Sequence, residues 1–260
     1  MIFDRFIVLG DSFSEGMTDE IRDGNYRGWG DRVADVLATQ SEDFTYANFA
    51  IRGKLVKQVL DDQIPRALPL ITGPKTLVSF HAGANDALRP SYNAETLRAD
   101  YRAAVEKLAA TGATIILFTV VEKTGNGGRA SELWFERFST FNAIVHEIGT
   151  ELNLVVMDSK MDPESASPHI LAFDRLHLNE RGHYRVAHAV LERLGQPHDA
   201  QWRKPIVAPE EKFWLLQKAM TGLWILTFVL PWVLRRLQGK SSGDGRRGKY
   251  ETPISWPVAR

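Results

Sequence analysis

Five short, nearly uninterrupted apolar runs punctuate this chain, at residues 6–9, 44–47, 76–80, 113–119 and 154–157. Their length suits strands better than helices, and their lack of polar alternation means that both faces are covered. Strands covered on both faces belong to a mainly parallel sheet with helices above and below. Helical patterns fill the gaps. Trp29, Val33, Val36 and Leu37 share one face. Leu97, Tyr101, Val105 and Leu108 share another, between a cap at Asn93 and a stop at Gly112. Trp134, Phe138, Phe141, Val145 and Ile148 recur at helical spacing, and this stripe is read as a face packed on the sheet. The alternation predicts a doubly wound α/β fold. In such folds the site lies beyond the C-terminal ends of the strands.

Composition narrows the function classes. The 260 residues suffice for one α/β domain and an extension. The formal net charge is +0, so no basic field points to nucleic acid as a partner. Cysteine is absent, which excludes disulfides and thiolate metal sites. The first apolar run is far shorter than a signal-peptide core, and a cytoplasmic location is expected. Gly125, Gly127 and Gly128 have no following Lys-Ser/Thr pair, so they read as an active-site loop rather than a phosphate cradle.

Four segments carry residues suited to chemistry. Gly10-Asp11-Ser12 follows the first run, where a glycine allows a sharp turn and a serine hydroxyl stands at the sheet edge; by itself it could equally be a helix cap. Gly53 closes the segment after the second run, either as a loop glycine or as a main-chain N–H aimed at a reacting oxygen. Gly83-Ala84-Asn85-Asp86 follows the third run, either as a turn or as a side-chain amide donor. His81 just before it reads as a strand-end histidine. Asp174 and His177 stand three apart, so the carboxylate can orient one ring nitrogen and leave the other free as a base. Asn179 is placed to cap the following helix, which holds His183 and His188.

Taken together and in this order, the four segments resemble the SGNH hydrolase superfamily, the GDSL-type esterases and lipases, over roughly residues 6–195. The resemblance implies a flavodoxin-like three-layer α/β/α sandwich on a mainly five-stranded parallel sheet. It implies that Ser12 is the nucleophile, His177 the base and Asp174 the acid that orients it. Ser12, Gly53 and Asn85 would form the oxyanion hole. No metal or cofactor is implied. The first block runs Gly-Asp-Ser-Phe-Ser, so Ser14 is a second hydroxyl, assigned to helix capping or site lining; Ala82 precedes Gly83. The expected function is a serine esterase or acylhydrolase acting on a small-molecule acyl ester. The alternatives are a carbohydrate O-deacetylase or thioesterase, a membrane-surface lipase or lysophospholipase, and a non-catalytic binding protein. Loops 15–28, 122–132 and 160–173 are expected to wall the site.

Residues 1–195 are thus expected to be the hydrolase domain, 196–238 an extension with an apolar helix, and 239–260 a mobile basic tail. Trp202, Trp214, Trp224, Trp232 and Trp256 lie beyond residue 195. The apolar run 219–234 falls short of the about 20 residues of a spanning helix. It is flanked by Lys212 and Lys218 before and Arg235-Arg236 after. Pro231-Trp232, Arg235-Arg236-Leu237 and Ser241-Ser242-Gly243-Asp244-Gly245 resemble the C-terminal extension of a bacterial intracellular subgroup of SGNH hydrolases. The preferred expectation is that residues 212–238 dock on the domain or a partner. Lying on a membrane surface ranks second and a true anchor third.

Overall fold

The computed structural model describes residues 1–122, 128–207, 214–238 and 240–257. All five apolar runs form strands, β1 (Arg5–Gly10), β4 (Thr45–Asn48), β5 (Thr76–His81), β6 (Thr114–Phe118) and β7 (Val155–Met157). They build one sheet in the order β7-β6-β5-β1-β4 with every neighbour parallel. A short antiparallel ribbon, β2 (Ile21–Arg22) and β3 (Asn25–Tyr26), lies outside it.

Alternate residues of each strand enter opposite cores. Ile7, Leu9, Val78, Phe80, Ile115 and Leu117 face one layer. That layer holds α3 (Val56–Gln58) and α4 (Ile64–Ala67), joined by a π turn over Val59–Gln63. It also holds α6 (Ala94–Ala109) and α7 (Arg129–Glu151), whose buried faces are Leu97, Tyr101, Val105 and Leu108, then Phe141, Val145 and Ile148. Phe6, Val8, Leu77, Ile116 and Phe118 face the other layer, where α2 (Gly28–Leu37) and α8 (Glu180–Arg193) pack. The result is the three-layer α/β/α sandwich that the resemblance implies. Short helices α1 (Ser12–Glu15) and α5 (Ala84–Ala87) start just past the C-terminal ends of β1 and β5.

Caps follow the side-chain chemistry. Asn93 accepts from Thr96 N at 2.8 Å, and Asn179 accepts from Gly182 N at 3.1 Å. The aromatic stripe of α7 departs from expectation in its first turns. Phe141 is buried, but Leu133, Trp134 and Phe135 are exposed. Asn142 of α7 already bonds Val120, past the C-terminal end of β6, so the turns before it extend beyond the strands. Of the glycines expected in an active-site loop, Gly125 and Gly127 lie outside the described residues.

The expected mobile tail over 239–260 is corrected by a sixth strand. Residues Tyr250–Ser255 form β8, antiparallel to β4, with Thr45 opposite Ser255 and Asn48 opposite Tyr250. Pro253 fits there because an edge strand has a side that needs no N–H. Two buried groups fasten it. Lys249 Nζ contacts Asp31 Oδ1 at 2.5 Å and donates to the carbonyls of Tyr26 and Arg27 at 2.8 Å each. Trp256 packs edge-on against Tyr46, and its Nε1 donates to Asp35 at 2.9 Å. Between α8 and β8 run α9 (Trp214–Trp224) and α10 (Leu230–Leu237), joined by a π turn over Ile225–Val229. Among the described residues no helix is long and apolar enough to cross a membrane.

Candidate active site

The turn after β1 sets the first side chain. Gly10 has φ +140°, and a Cβ there would stand 2.1 Å from the His81 carbonyl oxygen, so only glycine fits between β1 and β5. Gln63 locks that peptide from the side. Its Oε1 accepts from Gly10 N at 2.8 Å, and its Nε2 donates to Gly10 O at 2.9 Å. Asp11 then caps α1 by accepting from Phe13 N, and Ser12 stands on the first residue of that helix.

The second pair comes from the loop before α8. Ala172 N donates to His177 O, Asn179 N donates to Ile170 O, and the Asn179 amide donates to the carbonyls of His169 and Leu171. These bonds pin the loop to itself. Within it Asp174 Oδ1 accepts from the main-chain N–H of Leu176 and of His177, both at 3.0 Å. Its Oδ2 lies 2.7 Å from His177 Nδ1, and His177 Nε2 lies 3.0 Å from Ser12 Oγ. Three side chains from two distant segments thus form one continuous relay. Burial pushes the Asp174 carboxyl up, but the His177 hydrogen bond and charge and the two N–H donors outweigh it. The carboxyl is held below its ordinary range.

Gly53 and Asn85 line the same pocket as Ser12 and His177. Among the described residues, the main-chain N–H groups of Ser12 and Gly53 donate to no acceptor. Asn85 is differently placed. Its Nδ2 donates to Asp11 Oδ2 at 3.0 Å and to Lys54 O at 3.2 Å, so both amide hydrogens have partners. Donation to a further oxygen requires one of them to be shared or released.

Several residues of the site were given no role by the sequence. Asp11 is nearly inaccessible and joins Phe13 N, Asn85 and His81 Nδ1, the last at 3.3 Å. Glu15 clamps the loop after β4 by accepting from Arg52 N at 2.6 Å and from its guanidinium. Gln63 belongs to no motif. Asp11 lies within the first motif and Glu15 just beyond it, so both could have been suspected from position; Gln63 could not. Ser14 neither caps α1 nor lines the pocket, contrary to its assignment; its Oγ is buried without a hydrogen-bond partner. His183 is structural: Nδ1 accepts from Trp29 N and Nε2 donates to Met17 O. His188 accepts from Asp199 N, away from the pocket. Of the loops expected to wall the site, 15–28 contributes Met17, whereas Phe228 and Trp232 reach the pocket from the C-terminal extension. Among the described residues no group of His, Cys, Asp and Glu is placed to hold a metal ion.

The fold is that of the SGNH hydrolases. The family model for GDSL-like lipases and acylhydrolases matches residues 8–185, and the chain belongs to that family. It is a hydrolase acting on ester bonds. Solved structures share its fold. An acetylxylan esterase from Geobacillus stearothermophilus superposes with a TM-score of 0.61 at 19% identity, covering 76% of this chain and 97% of its own. A lipase/acylhydrolase from Enterococcus faecalis gives 0.58 at 21%, covering 75% and 98%. A psychrotrophic esterase from Pseudoalteromonas sp. gives 0.54 at 20%, covering 74% and 97%. A comparison with curated protein sequences returns no match.

Proposed function

We propose that this protein cleaves carboxylic esters through an acyl-enzyme on Ser12. The relay from Ser12 Oγ through His177 to Asp174, at 3.0 and 2.7 Å, carries the reading. His177 Nε2 takes the Ser12 proton as Oγ attacks the carbonyl carbon. Asp174 holds the Nδ1 proton, which fixes the tautomer and stabilises the imidazolium. The tetrahedral oxyanion sits against the N–H groups of Ser12 and Gly53. Asn85 joins them by turning one amide hydrogen from Asp11 or Lys54. Collapse breaks the ester C–O bond, and the leaving alkoxide takes the proton from His177. Water then attacks the Ser12 ester with His177 as base, which releases the acid and restores the serine. These steps call on no metal or cofactor.

The same machinery would serve a carbohydrate O-deacetylase or a thioesterase. Exposed apolar side chains on the extension, Leu223, Leu226, Leu230 and Leu234, favour a second reading in which the enzyme works at a lipid surface. Turnover of p-nitrophenyl acetate tests the main proposal. It should be measurable in the parent and fall to background in Ser12→Ala with the thermal midpoint retained. Equal turnover in Ser12→Ala would remove Ser12 from the chemistry.

A further inference from the structure

The C-terminal extension does more than pack beside the hydrolase domain. It is tied across the mouth of the site. Trp224 Nε1 donates to Asp174 O at 2.9 Å, Arg175 donates to Thr221 Oγ1 at 2.9 Å, and the Arg175 guanidinium lies over the Trp224 ring. Further along, Ser241 Oγ donates to Gly53 O at 3.4 Å. A Cβ on Gly53 would come within 2.3 Å of that hydroxyl, so the strap and the loop after β4 are in direct contact. The pocket at Ser12, about 70 Å³, is therefore closed partly by the extension.

The extension adds Arg235 and Lys240 to two cations of the domain. Arg52, Arg89, Arg235 and Lys240 line the pocket, and among the described residues no carboxylate does. Arg52 is neutralised by Glu15. Arg89, Arg235 and Lys240 form no ion pair among the described residues. Arg89 Nε is buried and meets no hydrogen-bond partner among the described residues. The nearby carboxylates are engaged elsewhere, Asp174 by His177 and Asp11 by Asn85 and His81. A second hollow of about 290 Å³ shares the Arg52 wall and adds Arg246 and Arg247. Unpaired cations around a concave, partly dehydrated site concentrate the field there and favour an anion. The same lining includes apolar side chains, those of Met17, Leu176, Phe228 and Trp232.

We infer that the extension makes this enzyme select esters bearing an anionic group, a carboxylate or a phosphate, close to the scissile bond. Arg89, Arg235 and Lys240 receive the anion, and the apolar wall receives the hydrocarbon part. This rests on the Ser12 hydrolase reading above. Two matched pairs of substrates test it on the full chain. One pair is p-nitrophenyl pentanoate against mono-p-nitrophenyl glutarate, a carboxylate on the acyl side. The other is monobutyrylglycerol against its 3-phosphate, followed by acid release at constant pH. The parent should prefer the anionic member of at least one pair, and which pair responds tells carboxylate from phosphate. That preference, as a ratio of kcat/KM values, should fall about tenfold or more in the double variant Arg235→Gln, Lys240→Gln. It should also fall with added salt. Turnover of the neutral esters with no anionic preference, or a preference that the double variant leaves intact, would overturn the inference and spare the hydrolase reading. No turnover of any ester and no fluorophosphonate labelling of Ser12 would overturn both.

Discussion

At the residue scale, burial sets the charge of polar groups packed around the site. His183 and Asp86 show it in opposite senses. Burial pushes the His183 imidazole down to about 4 from its ordinary 6.5. Between these values the unfolded chain binds a proton that the native protein refuses, so stability falls as pH drops through that window. Burial pushes the Asp86 carboxyl up to about 7 from 3.8. Here the native protein keeps a proton that the unfolded chain has lost, so stability falls as pH rises from about 4 to about 7. Asp86→Asn should therefore raise the thermal midpoint more at pH 8 than at pH 5. His183→Gln should flatten the decline between pH 6.5 and 4. Midpoints that shift equally at all pH values would show that neither group titrates differently on folding. The residues of the relay were legible in the sequence because each stands at a strand end or in a short-range pair. Asp11 and Gln63 were not legible as network members, since their partners lie across the fold and no local spacing announces them.

At the element scale, the five parallel strands were legible because burial on both faces leaves continuous apolar runs. Strand β8 was not. It is half covered, holds Pro253, and follows a stretch rich in Gly, Ser and Arg that reads as mobile. Long-range contacts place it, above all the Lys249–Asp31 pair, whose side chains are 4% and 3% exposed. Removing one partner strands the other in the interior. Lys249→Met should destabilise the protein by about 3–5 kcal/mol, read as a lower denaturant midpoint. The double variant with Asp31→Leu should recover much of the loss, because no lone charge then remains. An unchanged midpoint in Lys249→Met would mean that β8 does not depend on this pair. The first turns of α7 show the same limit. Their spacing is that of a packed helix, but the sheet ends before it can cover Trp134.

At the scale of the whole molecule, the segment after α8 adds a strand to one sheet edge and a strap over the site. The core fold followed from local pattern, while the strap's placement followed from single contacts such as Trp224 to the Asp174 carbonyl. Its exposed leucines lead to a further expectation. If the extension also meets lipid, activity on a long-chain ester should rise when anionic vesicles are added, and Leu226→Ser, Leu230→Ser should reduce the rise. Activity indifferent to vesicles would leave the strap with its role in the pocket alone. The central claim is narrower and rests on Ser12 Oγ lying 3.0 Å from His177 Nε2. It is tested most directly by mass mapping after reaction with a fluorophosphonate. The account requires one phosphonyl adduct on the peptide bearing Ser12, and none in Ser12→Ala. An adduct on another residue, or labelling that persists in Ser12→Ala, would contradict it.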